Sequence, residues 1–263
     1  MKIACVGDNC IDYYDETGQA FPGGNPVNVA VYIRRLGEGS SYVGAAGNDE
    51  YGRLLVDSLE KKGVDISHVR ICPGQTAITH VALVDGDRVF GAYDEGVLAD
   101  FHPSETEIEF LCSHDLVVTA LWGHSEHALE AIRAQGVPTA FDAATRPFSS
   151  PAQTAAPHTS VFFFSDDGGD ISTLKEQLKK LYDLGPQVVV ATRGSEGSIA
   201  YDGTEFYEYG IVPCPVVDTM GAGDSYIAGF LVSWLNGRPV PECMEAGAMN
   251  ASVTIGYQGA WTT

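Results

Sequence analysis

The chain has 263 residues, 44% hydrophobic and 19% charged, enough to build the core of one large α/β domain or of a domain with a small appendage. Lysine and arginine number 15 against 35 aspartates and glutamates, a net charge of −20. That balance argues against nucleic acid and anionic membrane as partners, and leaves any anionic ligand to be met locally by backbone amides or a few basic side chains.

The six cysteines are scattered and none forms a C-x-x-C pair, so they read as thiols of a reducing compartment rather than as disulfides or zinc ligands. No apolar run is long enough for a membrane helix, and the N-terminus lacks a charged-then-apolar leader. A soluble, cytoplasmic protein is expected.

In chain order, Lys2–Val6 reads as a buried strand running into Gly7-Asp8-Asn9, with Asp12 close behind. Short Asp and Asn side chains at a strand end suit hydroxyl recognition, and equally suit a turn. Tyr13–Phe21 reads as a small hairpin outside the main sheet. Pro22-Gly23-Gly24-Asn25-Pro26 then starts a helix over Val27–Leu36, with Asn25 as cap, Pro26 in the first position and Asn28 pointing to the same loop. A strand over Ser41–Ala46 and a helix over Tyr51–Lys62, stopped by Gly63, follow. Ala77–Val84 and Arg88–Tyr93, about the turn Asp85-Gly86-Asp87, form a hairpin projecting from the sheet.

From there helices and strands alternate. Helices are expected over Ser104–Ser113, Ser125–Ala134, Ile171–Leu184 and Pro241–Ile255, the first with a Ser104/Glu107 capping box and the second capped by Ser125. Strands are expected over Leu116–Leu121, Thr139–Phe141, Val161–Phe164 and Gln187–Thr192, with a second hairpin of Gly197–Tyr201 and Glu205–Tyr209. Repeated βα units imply a parallel sheet covered by helices on both faces, with ligands beyond the carboxyl ends of its strands.

The stretch Asp218-Thr219-Met220-Gly221-Ala222-Gly223-Asp224 leads into a helix whose Ile227, Phe230, Leu231 and Trp234 share one face. Amides at a helix start lack internal partners and attract anions. A carboxylate at that mouth suits a site where a proton must be removed beside an anion, although a tight turn with Asp224 as a dipole partner would look the same. A dinucleotide G-x-G-x-x-G would need glycine at Tyr226; the chain has no P-loop and no G-x-S-x-G elbow. His124-Ser125-Glu126-His127 does not keep the spacing of a zinc-binding H-E-x-x-H helix. The strand end Thr192-Arg193-Gly194-Ser195-Glu196-Gly197 has glycines that let a flat or phosphorylated ligand approach the backbone, with Arg193 available to phosphate. An anion-binding loop with a base, a Gly-Gly-Asn helix start and this strand end together supply what phosphoryl transfer to a hydroxyl needs.

Over its whole length the chain resembles the PfkB (ribokinase-like) carbohydrate kinases, through Gly23-Gly24-Asn25-Pro26-Val27-Asn28 and Asp218–Phe230. The resemblance implies a ribokinase-like α/β fold, one kinase domain over 1–263, and lid segments at about 13–21 and 75–95 that exclude water. It makes Asp224 the base, and the amides of Gly221, Ala222, Gly223 and Asp224 the holder of the migrating phosphoryl group. ATP would lie along Thr192, Gly194, Gly197 and Thr219, with Asn250 near the adenine, and the sugar against Asp8, Asp12, Gly24, Asn25, Asn28 and Phe90.

The cofactors implied are ATP and Mg²⁺, with room for a monovalent cation. The family's Asn-x-x-Glu magnesium motif is missing, and Asp166 and Asp167 stand in its region. The stretches Gly7–Asp12, Gly63–Val69, Asp87–Gly91, Glu95–Phe101, Trp122-Gly123-His124 and Gly259-Ala260-Trp261 resemble family members that phosphorylate the 6-hydroxyl of Amadori compounds such as fructoselysine. Other sugars or nucleosides (ribose, fructose, adenosine), or a non-catalytic sugar- or nucleotide-binding role, remain as alternatives. The lid hairpin leaves an edge on which a second copy of the chain can pair.

Overall fold

Runs such as Val161–Phe164 and Val188–Ala191 are apolar without alternation, the pattern of strands buried on both faces. The computed structural model describes residues 1–84, 87–166 and 168–261, apart from the side chains of 83–84 and 87–90. Its elements are β1 (Lys2–Val6), β2 (Cys10–Tyr14), β3 (Gln19–Gly23), α1 (Asn25–Arg35), β4 (Gly39–Gly47), α2 (Glu50–Lys61), β5 (Asp65–Cys72), β6 (Ile78–Val84) and β7 (Asp87–Asp94). They continue with α3 (Glu105–Leu111), β8 (Leu116–Ala120), α4 (Ala128–Ala134), β9 (Thr139–Asp142), α5 (Ser150–Ala155), β10 (Val161–Ser165), α6 (Ile171–Tyr182), β11 (Val188–Thr192), β12 (Ser198–Tyr201), β13 (Phe206–Tyr209), α7 (Ala222–Leu235) and α8 (Val240–Thr254).

Nine strands form the main sheet in the order β13-β12-β11-β10-β9-β8-β1-β4-β5. The seven from β11 to β5 run parallel, and the β12–β13 hairpin is added antiparallel at one edge. The pleat sorts the side chains into two cores. Ile3, Cys5, Val161 and Phe163 pack toward one face with residues of α1, α7 and α8. Ala4, Val6, Phe162 and Phe164 pack toward the other with α4 and α6. A second sheet of four strands, β3-β2-β6-β7, joins the two segments expected to form a lid, because β2 pairs with β6 in parallel as well as with β3. Among the described residues no helix is long and apolar enough to cross a membrane.

Several expectations are corrected. The cap of α1 is Gly24, at φ 103°, and no side chain caps that helix; Asn25 is its first residue and aims its amide elsewhere. α4 begins at Ala128, with no side-chain cap, while Ser125 Oγ bonds Gly123 O at 2.7 Å instead. α7 is buried all round over Ser225–Leu231, and Trp234 is only partly covered. The strand β5 and the helix α5 were not anticipated. The hairpin turn at 85–86 lies outside the described residues.

Candidate active site

The site forms where the carboxyl ends of β1 and β9 meet the N-termini of α1 and α7. Asp224 sits in the first turn of α7, half-buried. Gly221, which caps that helix, is left-handed at φ 72°, and a Cβ there would run into the Tyr32 hydroxyl. Only glycine fits both the turn and the gap. Ala222 N bonds Thr219 O at 3.2 Å, and Gly223 faces open space. Asp218 clamps the loop from behind: its carboxylate accepts from Met220 N at 2.9 Å and from Gly259 N at 2.6 Å.

Both carboxylate oxygens of Asp224 are engaged. Asn25 Nδ2 donates to Oδ1 at 2.6 Å, and Asn28 Nδ2 donates to Oδ2 at 2.7 Å. Pro26 lies between the two asparagines on the first turn of α1, so one helix end presents both amides to one carboxylate. Burial pushes the Asp224 carboxyl up to about 8, against the pull of Asn28, and the neighbouring charges of Asp142 and Asp8 push the same way. Asp8, deeply buried, accepts from Asn25 N at 3.2 Å through Oδ2, and its Oδ1 is buried with no hydrogen-bond partner. Burial lifts Asp8 to about 6.

Two residues at the cluster were missed by the sequence reading. Asp142, the last residue of β9, accepts from Asn25 Nδ2 at 2.7 Å and from Ala144 N at 3.0 Å. Trp261 donates its indole Nε1 hydrogen to Asn28 Oδ1 at 2.8 Å. An isolated aspartate closing a short strand carries no local signal, but a tryptophan in an otherwise Gly-rich, polar stretch is a usable one.

The remaining expected residues fall elsewhere. Asp12 is carried by β2 of the four-stranded sheet, buried, with Cys10 Sγ donating to its Oδ1 at 3.4 Å. Gly24 packs its backbone against Asn9. The side chain of Phe90 and all of Asp167 lie outside the described residues.

Thr192 ends β11 beside Ser165 at the end of β10, their hydroxyls 3.1 Å apart. Gly194 faces open space, whereas a Cβ on Gly197 would strike the backbone of Tyr209. Arg193, expected toward phosphate, is already paired with Asp166 at 3.7 Å and with Glu196. Asp166 also accepts from Gly169 N at 3.1 Å. Asn250, expected at the adenine, is buried and turned inward. Its amide donates to Ser225 O at 2.7 Å and its Oδ1 accepts from Arg35 Nη2 at 2.7 Å, so it braces α8 against α7 and α1. Among the described residues, no three His, Cys, Asp or Glu side chains stand together in a metal-holding group. His124 Nε2 meets Glu95 Oε2 at 3.1 Å, a contact between the segment after β8 and the residue that follows β7.

Such a site can hold an anion at the start of α7, with a proton acceptor beside it and polar groups on the far side. The match to the pfkB family carbohydrate kinases extends over residues 2–263. The chain is 45% identical to the fructoselysine 6-kinase of Escherichia coli (strain K12), over 98% of this chain and 99% of that protein. It is 34% identical to the fructosamine kinase FrlD of Bacillus subtilis (strain 168), over 99% and 93%. The solved structure of Arabidopsis thaliana ribokinase complexed with ribose and ATP superposes with a TM-score of 0.87 at 22% identity, over 98% and 93%, and so shares the fold. The chain belongs to the pfkB family of carbohydrate kinases and is a sugar kinase.

Proposed function

We propose that the chain transfers the γ-phosphoryl group of ATP to the 6-hydroxyl of fructoselysine or a closely related fructosamine. Asp224 accepts the proton of that hydroxyl. The freed oxygen bonds to the γ-phosphorus while the bond from that phosphorus to the β-phosphate oxygen breaks, and ADP leaves. The amides of Gly223 and Asp224, which have no carbonyl a turn back within α7, take the developing negative charge. Asp166, just after β10, is the described carboxylate that would help hold Mg²⁺, which would neutralise phosphate charge when bound with the nucleotide.

The observation that carries the kinase reading is Asp224 at the mouth of an amide-lined helix start, held by two asparagine amides. Raised to about 8, it is a stronger base than an ordinary carboxylate and is poised near working pH. The nucleotide lies on the Thr192 and Gly194 side. The apolar side chains exposed at Val216, Val217, Met249 and Val253 offer the adenine a surface beside Asn250. The sugar lies on the Asp8, Asn25 and Asn28 side, where Asp8 Oδ1 is a buried acceptor waiting for a donor. Full-length relatedness to kinases of fructoselysine and fructosamine supports the substrate, as does the net charge of −20, which suits a substrate bearing an amine.

The test is a coupled ADP assay with fructoselysine, fructose, ribose and adenosine. The highest kcat/KM is expected with fructoselysine. A preference for a plain sugar or a nucleoside would reassign the substrate, and no ADP with any of them would favour a binding protein.

A further inference from the structure

Asn25 has one side-chain nitrogen, and two carboxylates share it: Asp224 Oδ1 at 2.6 Å and Asp142 Oδ2 at 2.7 Å. The arrangement is costly, since Asn25 Oδ1 is left buried without a partner. It is also one-directional. Turning the amide over would set its oxygen against both carboxylates. Asp142 in turn is held by Ala144 N at 3.0 Å, and Ala144 is a non-glycine residue at φ 47°, a conformation that disfavours a Cβ. The chain therefore bends unfavourably just where it fixes this carboxylate. Asp142 has no part in the transfer as described above.

We infer that Asp142 is a positioning residue for the base: it holds the Asn25 amide on Asp224, and its negative charge makes Asp224 the better proton acceptor. This rests on the reading of Asp224 as the base. Like charges one shared nitrogen apart disfavour each other's ionisation, so the two carboxyls titrate as a coupled pair. The groups facing Asp224 are few. They are Asp142 from β9, Asp8 from the loop after β1, and Asn25, Asn28 and the Tyr32 hydroxyl from α1. The Arg35 guanidinium, also on α1, is engaged with Ser225, Asn250 and Thr254. Burial raises both carboxyls, and the charge of an ionised Asp142 opposes loss of the Asp224 proton.

Asp142→Asn keeps the shape and an oxygen to accept from Asn25, but removes the charge. The readout is the pH profile of kcat/KM with fructoselysine. The acid limb should move to lower pH by about one unit, the lower end of the effect of a neighbouring charge. The kcat plateau should fall about three- to tenfold because the base is weaker, with the KM for ATP unchanged. Asp142→Glu, which keeps the charge, should hold the limb near its wild-type position, and Asp142→Ser is a second neutral variant. An unmoved limb in either folded neutral variant would overturn the inference. If Asp224→Asn is inactive while the limb stays fixed, only this inference falls; if Asp224→Asn turns over normally, the base itself is misassigned.

Discussion

Trp261 fixes which way Asn28 faces. An indole nitrogen can only donate, so its 2.8 Å bond to Asn28 Oδ1 leaves the Asn28 amide to point at Asp224 Oδ2, 2.7 Å away. Both residues are buried, at 6% and 4% exposure, so neither has water as a ready substitute partner. Trp261→Phe removes the donor and keeps most of the ring. Turnover should fall about tenfold, the worth of one buried hydrogen bond of ~1.4 kcal/mol, with the KM for ATP unchanged. Steady-state kinetics with each substrate varied in turn checks this, and equal losses on the ATP side would contradict it.

The base should also register in stability. A carboxyl at an ordinary 3.8 when unfolded and about 8 when folded binds more protons in the native state between those values. Stability from this group is therefore present below the unfolded value and lost as pH rises toward about 8. Asp224→Asn escapes the loss. Its melting temperature should match wild type near pH 4 and exceed it by a margin that widens up to about pH 8. Thermal melts of both proteins across that range decide the point; a constant gap would mean that Asp224 is not raised.

Gly221 meets two demands at once, a left-handed turn at φ 72° and the closeness of the Tyr32 hydroxyl, which itself bonds Ala260 O. Gly221→Ala should displace the helix start from the carbonyl loop that carries Trp261. We expect a loss of kcat of about 10²-fold or more, the scale of losing a positioned oxyanion donor. Gly194→Ala is the contrast: it is also left-handed, at φ 52°, but faces open space, so it should cost about 1–2 kcal/mol of stability without displacing the helix start, and raise the KM for ATP. Kinetics on the two variants side by side separates the roles.

Arg35 ties three helices together behind the site. Its Nη2 lies 2.8 Å from Ser225 Oγ, 2.7 Å from Asn250 Oδ1 and 2.9 Å from Thr254 Oγ1. Arg35→Met should lower the unfolding free energy by ~2 kcal/mol, as for loss of hydrogen bonds to a charged group. Urea denaturation measures it.

The loop at Gly221–Asp224 was legible in the sequence because its chemistry is local: glycines, helix-start amides and a carboxylate within four residues. The alternating strands and helices were legible for the same reason. Asp142 was not, because its partner Asn25 is 117 positions away and nothing near it marks the meeting. Asn25 itself was misread as a cap, since local preference favours asparagine there. Two carboxylates from distant elements claim its amide instead, and the cap falls to Gly24. β5 escaped notice because Ser67, His68 and Arg70 interrupt its apolar pattern, which an edge strand tolerates. The inward hydrogen bonds of Asn250 were not legible either, since Ser225 and Arg35 lie far from it in the chain.

The central claim is that Asp224 removes the proton in phosphoryl transfer. Asp224→Asn, measured with fructoselysine by ADP release and with an ATP analogue by calorimetry, tests it most directly. The account predicts a loss of turnover of about 10²–10⁴-fold with nucleotide binding intact. Turnover close to wild type, with the same nucleotide affinity, would contradict it.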